Sequence, residues 1–563
     1  MTPPVPATPG TQPTPSRIAL TAIAAALAAL LVGAAFSPSL DNAFLFWDDR
    51  VYLHDNPRLQ ALTPDNLWWM LTDSRGPNAH YNWQPLTALS HALDLAWFGF
   101  DPRAHRAGNL VLHAVATMAV FAIAWRLLRA APEANSLSPA GTLAAAALAS
   151  ALFSVHPLRV ESVVWIAERK DVLCGAFYLL AVAAWLQFRA SGARPWRVAT
   201  SVCALGACLA KPMAVSLPIV LVLLDHWPHR RWQLPQWRRL GQNIIDKPDL
   251  FAYALLTAVM ALLAQSGGGG IRSLVEVELA VRFVNAAHSL LFYAGKFLAP
   301  FNLATLYPYS AHVTGLSVLA WMELALAGTL TVWSLRSLFG RPSAWSTLWL
   351  TTIVMLGPVM GIVQVGVQSA ADRYTYLPMV GVAILVATTL CWPRWPKRVR
   401  TACIALALVA PLALLSQTRL QTLVWQSDRT LWEHTLALYP TALPVAHLNL
   451  GNALFRAGDI DSAAMRYERA LELEPDNPLT WANLAWARLR LDQFKSALAA
   501  ADRAIELDEN SLQGWLSRAV AHQLQAQTKP AVAAYRRVLE IHPGNADAVR
   551  NLQLLGETPV HTK

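Results

Sequence analysis

Apolar runs separated by short polar loops fill the first 417 residues of the chain. A run of about 17 to 25 mostly apolar residues predicts a transmembrane helix. The first run, 18–36, has small residues near its end, as a signal peptide does, but the many later runs favour an uncleaved helix. The pattern predicts eleven spans in total; the other ten lie near 107–128, 140–154, 172–188, 197–210, 212–227, 250–266, 316–335, 344–365, 376–392 and 401–416.

A further apolar segment, 284–299, is interrupted by His288 and Lys296 and is followed by Pro300. If this segment does not cross the membrane, the loops rich in arginine and lysine all fall on one side, which the positive-inside rule makes cytoplasmic. If it does cross, the last two basic loops move to the opposite side. We therefore predict a re-entrant or interface-lying helix here, on the outer face.

After residue 417 the apolar positions follow the period of amphipathic soluble helices, and the sequence repeats itself. The segments LEPDN, LDENS and IHPGN begin at Leu473, Leu507 and Ile541, 34 residues apart, which is the tetratricopeptide period. Such repeats stack into a solenoid whose groove usually holds extended peptide. The predicted fold class is all-α, with a polytopic membrane domain followed by a tetratricopeptide α-solenoid.

Five parts make up the predicted organisation of the chain. They are a disordered cytoplasmic tail (1–16), a membrane domain (17–417) with an outer loop at 37–106, a connector with a half repeat (418–443), the repeats with a capping helix (444–556), and a short tail (557–563).

Composition supports a membrane protein, because 55% of the residues are hydrophobic and only 14% are charged. The formal charge of +10 does not indicate nucleic-acid binding, since the arginines and lysines of the membrane domain cluster in short loops between apolar spans. The five cysteines show no metal-ligand spacing and no framework of a secreted disulfide fold. The sequence therefore predicts contact with membrane lipid and no nucleic-acid partner.

Two adjacent carboxylates, Asp48 and Asp49, follow the first predicted span in the stretch NAFLFWDDRVYLHDNP. Helix N-capping is one explanation for such a doublet, because a carboxylate accepts backbone N–H bonds at a helix start. The same loop contains AHYNWQPLTALSHALD, which is rich in groups that hydrogen-bond or stack on a sugar. The candidate acceptor or sugar contacts there are His80, Tyr81, Trp83 and Gln84; ordinary interfacial aromatic residues and caps remain the alternative.

The stretch HPLRVESVVWIAERKD, 156–171, follows a predicted span directly and is dense in charge. An unpaired ion facing lipid would cost several kcal/mol, so these side chains must pair with one another or line a water-filled cavity. A structural ion-pair network explains part of the set; the remaining cations suit a phosphate, since arginine offers a fork of donors and lysine a point charge. The candidate phosphate- or substrate-binding residues are His156, Arg159, Glu161, Glu168, Arg169, Lys170, Asp171, Lys211, Tyr307, Asp372, Arg373 and Tyr374.

A base beside an anion-binding cluster is what glycosyl transfer from a lipid phosphate requires. A carboxylate takes the proton from the acceptor hydroxyl while cations stabilise the departing phosphate. By topology, all of the unusual polar motifs face the outer compartment.

The motifs FLFWDDRVYLHDNP, HPLRVESVVWIAERKDVL, KPMAVSLPIVLVLLDHWP, LAPFNLATLYPY and ADRYTYLP, followed by tetratricopeptide repeats, resemble one known family. It is the transmembrane and tetratricopeptide repeat-containing protein O-mannosyltransferases, of the GT-C glycosyltransferase superfamily, and the resemblance covers about residues 37–556. It implies a GT-C-like membrane domain and an inverting transfer of mannose from a polyprenyl-phosphate donor to serine or threonine hydroxyls of proteins. The family's catalytic acidic motif corresponds to Asp48 and Asp49.

This chain carries about three repeats, fewer than better-known members of that family, so its acceptor protein can differ. Its composition looks bacterial, which predicts a multi-pass protein of the cell inner membrane with the active site and repeats on the periplasmic side; in a eukaryote that side would be the lumen of the endoplasmic reticulum. The predicted partners are a polyprenyl-phosphate sugar and an acceptor protein or peptide. No cofactor or metal is predicted as certain, and a divalent metal ion at Asp49 stays open. A transporter and a non-catalytic membrane-anchored scaffold are the alternative functions; a transporter would typically show repeated halves, which the sequence lacks.

Overall fold

A computed structural model describes residues 15–73, 82–131, 137–267, 277–362 and 368–558 of the chain. The predicted all-α class is confirmed: within these ranges the regular structure is helical, and an antiparallel bridge between Tyr307 and Ala370 is the sole β pairing. The chain divides into two compact units, 1–426 and 427–563. That division lies nine residues beyond the predicted end of the membrane domain, because the last helix of the first unit continues to Val424.

The first unit contains helices α1 to α17 in its described part. They are α1 (Pro15–Phe36), α2 (Pro64–Thr72), α3 (Pro85–Phe98), α4 (Pro102–Ala130), α5 (Pro139–Ser154), α6 (Val160–Val164), α7 (Arg169–Ser191), α8 (Arg194–Ala210), α9 (Leu217–His226), α10 (Trp237–Ile245), α11 (Pro248–Gly267), α12 (Leu279–Leu298), α13 (Ala311–Thr314), α14 (Val318–Arg336), α15 (Ala344–Leu356), α16 (Met379–Leu390) and α17 (Lys397–Val424).

Prolines and polar caps start many of these helices, as local sequence dictates. Pro102 and Pro139 occupy the first turns of α4 and α5, where the missing N–H would have no helical partner. The side chains of Asp101 and Ser138 precede them and accept backbone N–H bonds from Arg103 and Gly141. These local start signals determine where α4 and α5 begin.

Among the described residues, five helical segments are long and apolar enough to cross a membrane: Pro102–Ala130, Ile166–Ser191, Pro248–Ser266, Val318–Arg336 and Lys397–Val424. A sixth candidate, formed by Pro139–Ser154 and Pro157–Val164, is bent by 55° at its break. Shorter apolar helices occupy the positions of other predicted spans, at Ala29–Asp41, Pro212–His226, Ala344–Val359 and Met379–Leu390. The first unit is thus a polytopic helical membrane domain, while the total of eleven spans stays a prediction.

Helix α7 is the most buried long helix of this domain, and it packs between α4 and α8. Gly175 makes a close approach possible on one of its faces, because a Cβ atom there would lie 2.3 Å from the ring of Tyr376. The phenol of Tyr376 donates a hydrogen bond to Nδ1 of His113 on α4, at 2.8 Å. The motif after residue 370 is therefore attached directly to the centre of the helical bundle.

The second unit consists of paired antiparallel helices, as the 34-residue period predicts. Its helices are α18 (Asp428–Leu438), α19 (Pro444–Arg456), α20 (Ile460–Leu473), α21 (Pro478–Arg490), α22 (Phe494–Leu507), α23 (Leu512–Leu524), α24 (Thr528–Ile541) and α25 (Ala546–Leu554). The first helices of the three repeats begin at residues 444, 478 and 512, as predicted. Gly451 of α19 contacts Tyr467 of α20 so closely that a Cβ atom would lie 2.6 Å from the ring, which explains the glycine at this repeat position.

Candidate active site

The acidic doublet starts a short helical turn, Arg50–His54, but the side chain of Asp49 does not cap that turn. Asp49 is fully buried, and its two carboxylate oxygens accept backbone N–H bonds from Leu45 at 2.9 Å and from Ala167 at 2.8 Å. Burial raises the pKa of Asp49 to about 7, while the two N–H bonds and the charge of Arg106 oppose the rise. Asp49 thus attaches the first outer loop to the segment that precedes α7.

Asp48 is partly exposed, in contrast to its neighbour. Trp47, which precedes it, stacks on Trp165 with ring centroids 4.5 Å apart, so the loop is held on the same segment by an aromatic contact as well. Burial raises the pKa of the nearby Tyr52 phenol, the charges of Asp48 and Glu168 add to that rise, and Lys170 opposes it. Asp48 therefore lies within electrostatic reach of the charged cluster described next.

Three cations and three carboxylates from distant parts of the chain meet in one cluster around Glu168. Glu168 is 3.1 Å from Nζ of Lys170, 3.6 Å from Nζ of Lys211 and 3.6 Å from Nε of Arg373. Lys211 also pairs with Asp171, and Arg373 pairs with Glu161. The structure thus brings together Glu161, Glu168, Lys170, Asp171, Lys211 and Arg373, which the sequence selected from three separate motifs.

The cations of this cluster are slightly more exposed than its carboxylates. The side chains of Lys170, Lys211 and Arg373 are 10%, 13% and 11% exposed, whereas those of Glu161, Glu168 and Asp171 are 2% to 3% exposed. The carboxylates beneath them hold the three cations in place and offset part of their charge. Of the six side chains, those of the three cations therefore have the larger fractions open to an anion.

Arg169 lies in a different set of contacts from its neighbour Lys170. Its guanidinium pairs with Asp94 of α3 and donates hydrogen bonds to the backbone carbonyl of His105 and, at 2.8 Å, to Oδ1 of Asn109 on α4. These contacts attach α3 and α4 to the start of α7. The structure thus separates Arg169 from the three cations around Glu168.

Two other predicted site residues join the motifs to one another from buried positions. Arg159 donates to the backbone carbonyl of Thr375 at 3.0 Å and to its hydroxyl at 2.9 Å. His156 donates through Nε2 to the carbonyl of Phe297 at 2.9 Å and accepts through Nδ1 from the amide of Leu158 at 3.2 Å. Both side chains are therefore engaged by protein groups below the cluster.

The motif around Asp372 is attached to the loop before α13. The phenol of Tyr307 donates to the Asp372 carboxylate at 2.8 Å, and burial raises the pKa of Asp372 well above its usual range, with the charge of Glu161 adding to the rise. Tyr374 accepts a hydrogen bond from the amide of Gln368 at 3.1 Å, and its ring lies 5.2 Å from the Arg373 guanidinium. Tyr374 thus contacts Arg373 directly, while Asp372 is held by Tyr307.

A small pocket in the first outer loop borders this cluster. Tyr52, Gln84 and His91 are among its lining residues, and Nζ of Lys170 lies 5.1 Å above the Tyr52 ring. Trp83 is buried beside it and donates to the carbonyl of Leu71 at 2.9 Å. Of the four candidate sugar contacts, His80 and Tyr81 lie outside the described residues.

Sequence inspection missed three residues that shape the site: Tyr52, Asp94 and Trp165. All three occur inside the motif stretches, but each was overlooked for the same reason. An aromatic residue or a single acid in an apolar setting has no local feature that distinguishes a site residue from a packing residue. Their partners are Lys170, Arg169 and Trp47. Each partner is distant in sequence and becomes a neighbour only in the folded protein.

Comparison with known proteins matches both units. A family model described as tetratricopeptide repeat matches residues 454–520. A Caenorhabditis elegans protein named protein O-mannosyl-transferase is 23% identical over 75% of this chain and 57% of its own length. A human protein of the same name is 26% identical over 77% of this chain and 64% of its own length. The chain thus spans about three fifths of the length of these relatives.

A Drosophila melanogaster protein O-mannosyl-transferase is 32% identical over a shorter match, which covers 33% of this chain and 20% of that protein. The family resemblance of the motifs is therefore confirmed: over about three quarters of its length this chain is similar to proteins named protein O-mannosyl-transferases, and it carries tetratricopeptide repeats.

Proposed function

We propose that the protein is a membrane glycosyltransferase that moves a sugar from a polyprenyl-phosphate donor to serine or threonine hydroxyls of proteins, with inversion at the anomeric carbon. The relatives named protein O-mannosyl-transferases favour mannose as the sugar. The observation that carries the proposal is the cluster in which Lys170, Lys211 and Arg373 are slightly exposed and pair with buried carboxylates, within electrostatic reach of Asp48.

In the proposed reaction Asp48 accepts the proton of the acceptor hydroxyl as its oxygen attacks the anomeric carbon. The bond between that carbon and the donor phosphate oxygen breaks in the same displacement, so the configuration inverts. Negative charge grows on the departing lipid phosphate, and Lys170, Lys211 and Arg373 stabilise it. General-base catalysis and charge stabilisation of the leaving group are the two effects that the site supplies.

Asp49 holds the loop rather than reacting. Both of its oxygens accept backbone N–H bonds, and the side chain is fully buried. The role that these contacts support is to fix the position of Asp48 relative to α7. Separate roles for Asp48 and Asp49 explain why two adjacent carboxylates lie in different environments.

We further propose that the site and the repeats share the outer, periplasmic compartment of a bacterial inner membrane. The distribution of arginine and lysine among the loops supports this orientation. A periplasm-specific reporter fused after Lys563 is expected to be active, and activity of a cytoplasm-specific reporter at the same position would contradict the orientation.

The repeats are proposed to recruit the acceptor protein without taking part in the reaction. Their ion pairs are exposed ones such as Arg469 with Glu472 and Arg503 with Glu506, and no metal-ligating group of three occurs among their described residues. Repeat solenoids commonly hold extended peptide in their concave groove. Binding and chemistry would then reside in separate units.

The test is to incubate the purified protein with labelled polyprenyl-phosphate sugars and a mixture of periplasmic peptides, and to measure labelled peptide and released lipid phosphate. The full chain should form labelled peptide. A chain ending at 426 should still hydrolyse the donor slowly but transfer far less sugar to peptide. Loss of both activities in a correctly inserted truncated protein would contradict the division of roles, and no labelled peptide with any donor would contradict the enzyme itself.

A further inference from the structure

Three metal-ligating side chains from three successive elements converge outside the candidate active site. His288 lies on α12, His312 on α13 and Glu323 on α14. Oε2 of Glu323 is 3.0 Å from Nδ1 of His288 and 3.3 Å from Nε2 of His312, and the three ligand atoms lie within 4.8 Å of one another.

These separations match those of ligands around one tetrahedral ion. Zinc binds imidazole nitrogen and carboxylate oxygen at about 2.0 to 2.2 Å, which puts two ligands of a tetrahedral site about 3.3 to 3.6 Å apart. The two measured nitrogen–oxygen separations fall at or slightly below that range. The two nitrogens lie within 4.8 Å of each other, so side-chain movement would gather all three atoms around one ion. Two imidazoles and one carboxylate with one open position are a common zinc ligand set.

The charge of Glu323 supports a cation at this point. Glu323 is the sole acidic residue of α14, a helix apolar enough to cross a membrane, and its side chain is 17% exposed. Within the described residues its ion-pair partners are the two histidines, and neither lysine nor arginine pairs with it. An imidazole offsets a carboxylate charge only when it is protonated, whereas a divalent cation offsets it directly, so a bound metal would stabilise the partly buried Glu323.

We propose that His288, His312 and Glu323 bind one divalent transition-metal ion of the zinc type. The site is distinct from the candidate active site, because none of its ligands belongs to the cluster around Glu168. The partial exposure of all three side chains, between 17% and 27%, leaves a route for the ion and a fourth ligand position for water.

The ion would fasten α12 to α14 next to the apolar contacts that already join them. Val281 and Val284 of α12 pack there with Val313 and Ala320. Helix α12 also supports the motif that contains Arg373: Tyr293 accepts a hydrogen bond from the amide of Ala371 at 3.1 Å, and Asn285 donates to the carbonyl of Ser369 at 3.2 Å. Metal binding at His288 would therefore stabilise the helix that positions this motif.

The test uses the full chain, purified with a histidine-free tag and freed of metal with a chelator. After dialysis against zinc, the wild type should retain about one ion per chain by elemental analysis. Cobalt(II) should give the visible absorption of a tetrahedral ion. His288→Ala and His312→Ala should reduce retention to background, while His542→Ala, an exposed histidine of the repeats, should retain as much as the wild type.

Glu323→Gln separates a metal site from a triad held by hydrogen bonds alone. It keeps an acceptor oxygen for both histidines but removes the charged ligand, so it should fold. Zinc should raise the thermal unfolding midpoint of the wild type by mass action and leave that of Glu323→Gln unchanged. An equal zinc-dependent shift in both proteins, or no zinc retained by the wild type above the histidine variants, would overturn the proposal.

Discussion

The carboxylate of Asp49 accepts a hydrogen bond from the backbone amide of Ala167 at 2.8 Å, across 118 residues of sequence. This contact joins the first outer loop to the segment that leads into α7 and its charged residues. It also distinguishes the two members of the acidic doublet, because Asp49 is fully buried whereas Asp48 is partly exposed.

Asp48→Asn is expected to reduce sugar transfer by about 10² to 10⁴-fold, because general-base catalysis typically contributes that factor. The amide keeps the size of the side chain, so the variant should fold. Asp49→Asn, the matched control in the same doublet, should keep more activity, since it disturbs loop position rather than proton transfer. The measurement is the initial rate of labelled-peptide formation; an active Asp48→Asn beside an inactive Asp49→Asn would exchange the two roles.

The raised pKa of Asp49 predicts a pH dependence of stability. Its folded-state pKa of about 7 exceeds the usual value near 4, so between these values the folded protein holds a proton that the unfolded chain releases. The contribution of this group to the free energy of unfolding therefore falls as pH rises toward 7 and is constant above about 8.

Thermal unfolding of the wild type and Asp49→Asn from pH 5 to pH 9 measures this effect. The wild-type midpoint should fall relative to that of the variant between pH 5 and pH 7, and the two curves should run parallel above pH 8. Parallel curves over the whole range would show that Asp49 has an ordinary pKa in the folded protein.

Arg373 and Arg169 provide a matched pair for the phosphate proposal. Loss of one charge-assisted contact costs about 1.5 to 3 kcal/mol, so Arg373→Gln should lower kcat/KM for the lipid donor roughly ten- to hundred-fold. Arg169→Gln should lower the thermal midpoint, because Asp94 loses its ion-pair partner, and should leave the donor KM unchanged. An unchanged donor dependence in Arg373→Gln would indicate that this arginine acts as a structural partner of Glu161 alone.

Gly175→Ala should destabilise the membrane domain by about 1 to 3 kcal/mol, since the added Cβ would overlap the Tyr376 ring in a packed core. Gly328→Ala in α14 is the control, because no atom lies within 4 Å of its Cβ position. Alanine favours a helix over glycine by about 1 kcal/mol, so the control should be neutral or slightly stabilised. Thermal midpoints in detergent measure both; equal shifts would mean that the contact between Gly175 and Tyr376 has no energetic effect.

The sequence alone predicted the parts of this protein that depend on neighbouring residues. Apolar runs predicted helices such as α4 and α5, because a helix satisfies its backbone within its own segment. The 34-residue period predicted the repeats, with first helices at Pro444, Pro478 and Leu512, because each repeat packs against adjacent ones.

The charged motifs indicated which stretches of sequence form the candidate site, but they did not show which residues pair with one another. The sequence placed Arg169 and Lys170 together as phosphate ligands. In the structure Arg169 pairs with Asp94, and Lys170 pairs with Glu168. Successive residues of a helix point about 100° apart, so adjacent cations at the start of α7 reach different neighbours.

Tertiary structure decided which charges pair with one another and which side chains stay partly exposed. Arg373 meets Glu161 across 212 residues, and Asp49 meets Ala167 across 118. No local pattern encodes such pairs, because they depend on how α7, the first outer loop and the segment after residue 370 pack together. Local sequence therefore determined the helices and the repeats, while the distinction between a partly exposed Asp48 and a buried Asp49 arose from long-range packing.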